Sequence, residues 1–191
     1  SRVPRKVMSS QGTRFRWMGA EASGTVGGRR AHAPKASKQW EQKINTKEER
    51  KALRAALAAT QTEHVHAKHK VPKDYPFIVS DDLHSVSKTK EAEQILRDLG
   101  FEPELERTAE RRIRAGKGKR RGRKYKQKRG ILLVVPTDAT VSRAVRNIPG
   151  VDVATPESLN IIDLAPGAHP GRLTLFTEAA LQQIEQMERY A

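Results

Sequence analysis

The sequence contains no cysteine, and aromatic residues make up only 5% of the chain. It can therefore form neither a disulfide framework nor a thiolate metal site, which fits a reducing compartment. No apolar stretch approaches the roughly 20 residues that a membrane-spanning helix needs, and no signal-peptide pattern is present. The motifs G-x-x-x-x-G-K-[ST] and G-x-G-x-x-G after a strand are also missing, so nothing indicates a nucleotide-dependent enzyme.

Positive charge, in contrast, is abundant and unevenly distributed. The 191 residues include 37 Lys or Arg and 22 Asp or Glu, which gives a net charge of +15. Residues 1–44 contain ten Lys or Arg and two acidic residues, whereas residues 111–129 contain twelve and none. The rest of the chain is mildly acidic. Two cation-rich segments attached to such a body indicate a polyanionic partner, and nucleic acid is the most common one.

The chain divides by pattern into an arm and a domain. Residues 1–44 have no helical period and contain scattered glycines, so we expect a long, irregular, basic arm. From residue 45 to residue 191, strand and helix patterns alternate. This alternation predicts an α/β domain with a mostly parallel sheet and helices on both faces.

Three elements of this domain are predicted in detail. A helix from 46 to about 61 is expected to begin with a capping box made by Thr46 and Glu49. The stretch "PELERTAERRIRAG" is predicted to be a helix that ends at Gly116. Ile131–Val135 is uncharged and rich in β-branched residues, which predicts a strand covered on both faces.

Between that helix and that strand lies a basic loop at 115–130. We interpret it as a loop that a rigid scaffold presents to the phosphates of a nucleic acid. Glycines at 116, 118, 122 and 130 would let its backbone approach the ligand closely, and Tyr125 could stack on a base. Cationic loops mostly recognise backbone shape, so no base sequence is specified.

The arm interleaves cations with aromatic side chains. Arg14, Phe15, Arg16 and Trp17 alternate in type, and Arg29, Arg30 and His32 follow a glycine pair. This pattern favours an extension threaded through RNA, with Trp or Phe stacked on unpaired bases, over a plain linker.

Two other patterns suggest chemistry but are more simply explained. The histidines of "HVHAKH" (His64, His66 and His69) lack supporting metal ligands beyond Glu63, and we expect no metal site. Asp81 and Asp82 end a strand beside Ser80 and His84, yet residues so close in sequence rarely converge on one point. We therefore predict no catalysis and no cofactor, and we keep a nucleic-acid-processing enzyme that uses Asp81 and Asp82 as an alternative.

Several blocks resemble a known family. They are "SRVPR", "VGGRRAHAPK" at 26–35, "KINTKEERKALRAALAAT" at 43–60, "RAGKGKRRGRKYKQKRGILLVV", "SRAVRNIPGVDV" and "LAPGAHPGRLTLFTEAAL" at 164–181. In this order the chain resembles the large-subunit ribosomal protein family "L-four", in its archaeal and eukaryotic branch, across nearly its whole length. The chain opens with Ser1 in mid-pattern, so we expect that the family's N-terminal part is missing here.

The resemblance implies a structural constituent of the large ribosomal subunit, located in the cytoplasm, with a globular domain and a long loop buried in ribosomal RNA. In the family, the tip of that loop helps to line the nascent-peptide exit tunnel, and "SRVPRK" matches the tip region while "GGRRAHAPK" matches the returning limb. The expected partners are ribosomal RNA and neighbouring ribosomal proteins, with no membrane and no small-molecule substrate. A non-ribosomal DNA-binding protein is a second alternative.

The complete set of predicted RNA-binding residues combines both segments. In the arm they are Arg2, Arg5, Lys6, Arg14, Arg16, Trp17, Arg29, Arg30, His32, Lys35, Lys38 and Trp40. In the basic loop they are Lys117, Lys119, Arg120, Arg121, Arg123, Lys124, Tyr125, Lys126, Lys128 and Arg129.

Overall fold

A computed structural model of the chain describes residues 9–16, 23–24, 27–136 and 140–190. By its internal contacts the chain divides into two units, Ser1–Lys43 and Ile44–Ala191. Of the predicted binding residues, Arg2, Arg5, Lys6 and Trp17 lie outside the described residues. No helix within the described ranges is both long and apolar enough to cross a bilayer.

The first unit contains a small hairpin that the sequence did not predict. Strands β1 (Ser9–Gln11) and β2 (Arg14–Arg16) pair antiparallel, with Ser10 opposite Phe15. Gly12 begins the turn between them with a φ of +63°. The expectation of a wholly irregular arm was therefore wrong in this stretch, because one left-handed glycine is enough to reverse the chain and close a ladder.

The second unit is built on a four-stranded parallel sheet, as predicted. Its strands are β3 (Ile78–Val79), β6 (Leu132–Val134), β7 (Asp152–Ala154) and β8 (Thr174–Thr177), in the order β3-β8-β6-β7. Strand β6 pairs in parallel with β8 on one side and with β7 on the other. The predicted strand at Ile131–Val135 is thus central to the sheet, and all five of its residues are buried.

Helices cover both faces of this sheet, which confirms the predicted fold class. On one face, helices α1 (Thr46–Ala59), α6 (Ile161–Leu164) and α7 (Glu178–Gln186) contribute to a core that includes Leu132 and Val134. On the other face, α2 (His64–Lys68), α3 (Thr89–Leu96), α4 (Glu102–Ala109) and α5 (Val141–Val145) contribute to a core with Ile131, Leu133 and Val135. The alternation of strand side chains separates the two cores.

Helix α1 forms as predicted and buries one stripe of its surface, but its cap differs from the predicted one. Leu53, Ala56 and Thr60 are buried. The helix begins at Thr46, so its N-cap is Asn45, which makes no side-chain capping bond. The Asn45 carbonyl instead accepts hydrogen bonds from the backbone N–H groups of Glu48 and Glu49, both at 3.0 Å. The N-cap was therefore predicted one residue too late, and the predicted capping box does not form.

The largest correction concerns the basic segment. Helix α4 ends at Ala109 rather than at Gly116, and strands β4 (Arg112–Ile113) and β5 (Tyr125–Lys126) pair antiparallel. A 3₁₀ turn at Lys117–Arg121 connects them. The predicted helix was too long because none of residues 109–116 is buried against the core, and cross-strand pairing satisfies the backbone instead. We call residues 112–126 the basic ribbon.

Candidate nucleic-acid interface

The tip of the basic ribbon carries positive charge that no carboxylate compensates. We call residues 117–126 the tip, and its seven cations have no acidic partner among the residues that the structure describes: Lys117, Lys119, Arg120, Arg121, Arg123, Lys124 and Lys126. All seven side chains are exposed. Like charges so close together repel one another, so this surface is complementary to a polyanion.

Acidic residues contact the ribbon only at its base, as far as the described ranges extend. Glu110 precedes the ribbon and pairs with Arg112 at 3.1 Å and with Lys128 at 2.9 Å. These hydrogen bonds, first from Lys128 and then from Arg112, lower the pKa of Glu110. The ribbon therefore has a compensated base and an uncompensated tip.

A second attachment joins the end of the basic segment to the sheet. Arg172, which is 1% exposed, donates from Nε to the Gly130 carbonyl at 3.0 Å and from Nη1 to the Asp163 carbonyl at 2.9 Å. Its Nη2 donates to Asp152, which also pairs with Arg129. Burial lowers the pKa of Arg172, and the bond to Asp152 opposes that effect. Three acceptors thus satisfy a buried guanidinium beside the first residues of β6 and β8.

A third attachment is a buried carboxylate. Glu104 of α4 is fully buried and accepts bonds from Arg107 at 2.6 and 2.7 Å, from His69 Nδ1 at 2.7 Å and from the Lys70 backbone at 3.0 Å. Burial raises the pKa of Glu104, but the bonds from Arg107, His69 and Lys70 outweigh it and hold the pKa below its usual value. Arg107 Nη2 also donates to the Arg129 carbonyl at 2.8 Å.

Gly130 allows the chain to pack closely against helix α4 rather than to approach a ligand. A Cβ there would lie 2.6 Å from Cγ2 of Thr108, and a Cβ at Gly150 would lie 2.6 Å from Cβ of Thr108. The Gly130 N–H donates to the Gly150 carbonyl at 2.8 Å. The proposed role of Gly130 in approaching RNA was wrong, because the close approach it permits is to α4. Gly116 and Gly122, both at a φ of +77°, shape the tip of the ribbon.

The ribbon also exposes a pair of apolar side chains. Ile113 and Tyr125 are opposite each other in the ladder, and they are 62% and 52% exposed. The Lys124 ammonium lies 5.4 Å from the centre of the Tyr125 ring. An aromatic face that is flanked by cations and open to solvent suits the stacking of an unpaired base.

Within the first unit, several cations line an open groove of about 710 Å³. Arg29, Arg30, His32, Lys35 and Lys38 surround it together with Trp40, and all six are exposed. The Lys38 ammonium lies 4.4 Å from the centre of the Trp40 ring, and Trp40 remains 69% exposed. Arg14 and Arg16 lie apart from this groove in sequence, in β2.

Two arginines beside the ribbon were not predicted from the sequence to be binding residues. Arg111 and Arg146 line a polar groove of about 460 Å³ together with Lys128 and Arg129. Arg111 belongs to the basic segment, but the predicted helix assigned it no role. Arg146 follows α5, and its position on the face opposite Val141, Ala144 and Val145 was the available signal.

Histidines and aspartates that suggested a metal site or catalysis make structural contacts instead. His69 bonds to Glu104, and the His66 ring meets the Tyr75 ring edge-on at 6.1 Å. Asp81 Oδ1 accepts a bond from the Ala179 N–H at 3.2 Å, at the start of α7. Across the described ranges, no three His, Asp or Glu side chains group closely enough to hold a metal.

Comparison with known proteins relates the chain to one family. A model described as the ribosomal protein L4/L1 family matches residues 2–187. The chain belongs to the ribosomal protein L4/L1 family. The match covers both units, so the basic ribbon and the arm are parts of one family pattern rather than additions to it.

Individual members of the L4/L1 family are similar over most of the chain. A protein named large ribosomal subunit protein uL4 from Archaeoglobus fulgidus is 47% identical over 162 residues, which are 83% of this chain and 64% of the relative. The uL4 of Nanoarchaeum equitans is 45% identical over 193 residues, 100% of this chain and 72% of the relative. The uL4 of Halobacterium salinarum is 45% identical over 173 residues, which are 88% of this chain and 69% of the relative. The chain thus spans about two thirds of the length of these archaeal relatives.

Proposed function

We propose that this protein is a structural constituent of the large ribosomal subunit that binds and rigidifies ribosomal RNA. The observation that carries the proposal is the uncompensated tip of the basic ribbon, held by a compensated base. The relatives are named as large-subunit ribosomal proteins, and the ribbon is a surface that such a role requires. The place of action is then the ribosome in the cytoplasm.

The ribbon binds RNA by replacing the counterions of its phosphates. Each exposed Lys or Arg that contacts a phosphate releases a condensed cation, and the released ions favour binding entropically. The short two-stranded ladder and the 3₁₀ turn keep the seven cations on one narrow projection. Its anchors at Arg107, Arg172 and Glu110 limit the conformational entropy that ordering would otherwise cost.

The arm supports the same role in a different way. Its open groove combines cations with the exposed ring of Trp40, which suits a strand of RNA with unpaired bases. We further propose that the arm extends toward the nascent-peptide exit tunnel, with Arg2, Arg5 and Lys6 near its end. Neighbouring ribosomal proteins complete the surroundings of the domain. This part of the proposal rests on the family pattern.

The two alternatives are less well supported. An enzyme that uses Asp81 and Asp82 would need both carboxylates free for a metal or a substrate, but Asp81 caps α7. A DNA-binding protein would also use a basic ribbon, but the family's named members belong to ribosomal subunits.

Equilibrium binding to structured ribosomal RNA tests the proposal. The double variant Arg120→Gln/Arg121→Gln removes two charges at the tip of the ribbon. It should lower the slope of log K against log salt by about two and weaken binding roughly tenfold to thirtyfold at physiological salt. The matched control, Lys47→Gln/Lys90→Gln, removes two exposed charges from the body and should change neither quantity.

Competition and sedimentation complete the test. Structured ribosomal RNA should displace the protein from duplex DNA, and a tagged chain should sediment with large subunits until the RNA is stripped. Equal affinity for duplex DNA, or equal effects of the two double variants, would contradict the proposal.

A further inference from the structure

A small pocket on the second unit is lined almost entirely by cationic and imidazole side chains. Its volume is about 210 Å³, and it lies near the amino-terminal ends of β6 and β8. The residues that matter for its chemistry are Lys68, His69, Arg107, Arg129, His169 and Arg172. None of the residues that line it is a carboxylate. We call it the basic pocket, and only Arg129 among its residues belongs to the predicted RNA-binding set.

The charge of the basic pocket is only partly compensated. Four of its side chains are permanent cations: Lys68, Arg107, Arg129 and Arg172. The only carboxylates paired with them in the part of the chain that the structure describes are Glu104, with Arg107, and Asp152, with Arg129 and Arg172. Two positive charges therefore remain for a ligand, before any protonation of the histidines.

Hydrogen-bond donors also remain available. Arg107 uses Nε and Nη2 in its bonds to Glu104 and Arg129, but its Nη1 bonds to nothing in the described ranges. Lys68 donates to the Pro170 carbonyl, which leaves two of its three N–H donors. His169 is exposed and has no hydrogen-bonding partner in the same ranges.

The walls of the basic pocket are held in place. Gly171 packs on α2 so closely that a Cβ there would lie 2.7 Å from Cβ of His64. Arg172 is fixed by three bonds and His69 by its bond to Glu104. Donors fixed before binding bind an anion at a smaller cost in entropy than donors that must first be ordered.

We propose that the basic pocket is a binding site for one phosphate group. The volume suits a single tetrahedral oxyanion, the lining offers donors and no acceptor carboxylate, and guanidinium groups match phosphate geometry. The inference rests on the proposed function in one respect: the phosphate is one of the RNA backbone, bound separately from the ribbon tip. A free phosphate or the phosphoryl group of a small molecule has the same chemistry.

The test uses the full chain and the variant Lys68→Gln, with Lys73→Gln as the matched control. Both lysines are exposed and both substitutions remove one charge, but only Lys68 lines the basic pocket. Titration with inorganic phosphate should show saturable binding that Lys68→Gln weakens about fivefold, because one charge-assisted hydrogen bond to the phosphate is lost. Lys73→Gln should bind as the unaltered chain does. Thermal melting of each variant verifies that it is folded.

A second arm, with structured ribosomal RNA, identifies the source of the phosphate. If Lys68→Gln lowers the salt slope by about one and Lys73→Gln does not, the basic pocket holds a backbone phosphate. If only inorganic phosphate binding changes, the site is confirmed and its ligand is a free phosphate or a small molecule. If the two variants behave alike in both arms, the inference is overturned. Saturable phosphate binding by a chain that fails to bind RNA would reject the proposed function and leave the site standing.

Discussion

Arg107 holds Glu104 by two hydrogen bonds, at 2.7 Å from Nε and 2.6 Å from Nη2, and both residues belong to helix α4. The same guanidinium donates to the carbonyl of Arg129, 22 residues along the chain. A single side chain thus joins a buried carboxylate to the end of the basic segment. Because Glu104 is fully buried, this pair is a structural one rather than a surface ion pair.

We predict that Glu104→Gln destabilises the domain by about 3 kcal/mol, because it leaves the cationic partners of a buried carboxylate without compensation. Glu106→Gln, on the exposed side of the same helix, should change the free energy of unfolding by less than about 0.5 kcal/mol. Urea denaturation of both variants measures the difference. Equal free energies of unfolding for the two variants would show that the buried pair contributes nothing to stability.

The same pair predicts a pH dependence. The pKa of Glu104 is lower in the folded chain than its ordinary value of 4.5. Its contribution to stability is therefore fully present above that ordinary value and is lost as the pH falls through the folded value. The stability difference between the unaltered chain and Glu104→Gln should narrow below pH 4.5. A difference that stays constant down to acid unfolding would contradict this.

We predict that Gly130→Ala lowers the free energy of unfolding by about 1–3 kcal/mol, since the new methyl group would overlap Cγ2 of Thr108. Thr108→Ser removes that Cγ2 and keeps the hydroxyl that bonds to the Leu105 carbonyl at 3.0 Å. The loss in the free energy of unfolding should therefore be smaller in the double variant than the sum of the losses in the two single variants. Chemical denaturation of all four proteins gives the coupling, and strict additivity would reject the proposed contact.

We predict that Tyr125 contributes to RNA binding by stacking. Tyr125→Leu should weaken binding to an RNA with unpaired purines by about 1–3 kcal/mol and leave the salt slope unchanged. Tyr125→Phe keeps the ring and should bind nearly as well as the unaltered chain. Binding to a fully paired RNA of equal length serves as the reference. A Leu variant that loses equal affinity for both RNAs would indicate that the ring packs on something other than a base.

We predict that Asp81 and Asp82 differ in their effects. Asp81→Asn weakens the bond from the Ala179 N–H at the start of α7 and should cost about 1 kcal/mol of stability. Asp82 is exposed, so Asp82→Asn should have an effect below about 0.5 kcal/mol. Incubation of the unaltered chain and of both variants with RNA should show no cleavage. Cleavage that disappears in the variants would revive the enzyme alternative.

The sheet was predictable from the sequence because its signal is local and strong. Ile131–Val135 is a continuous apolar run, and such a run between helical patterns indicates a central strand of a parallel sheet. The buried faces of α1 and α3 were predictable for the same reason, since Leu53, Ala56, Ala92 and Leu96 keep helical spacing.

The ribbon was not predictable in detail because its signal is not local. Charged residues at 111–129 have no apolar period that distinguishes a helix, a strand and a loop. What decides the outcome is pairing between residues about a dozen positions apart, such as Ile113 with Tyr125. The roles of Glu104 and Arg172 were missed for a related reason, because each bonds to groups far away in sequence.

The basic pocket could not be predicted from the sequence for the same reason. Lys68, Arg107, Arg129 and Arg172 come from four separate stretches of the chain, and no pattern within any one stretch indicates that they meet. Only the packing of Gly171 on α2, together with the bonds of Arg172, brings them to one place. Composition predicts how much positive charge a chain carries, while topology decides where that charge collects.

On the proposed function, the contrast between the base and the tip of the ribbon has a consequence for how the protein would enter a ribosomal particle. Every bond described for the base comes from within the domain, so the domain can acquire its native structure before it meets any RNA. In the proposed role, the seven tip cations gain nothing from that event and are compensated only later, by the phosphates of the RNA. We therefore expect folding and incorporation to be separate steps, and high salt to reverse the second without undoing the first.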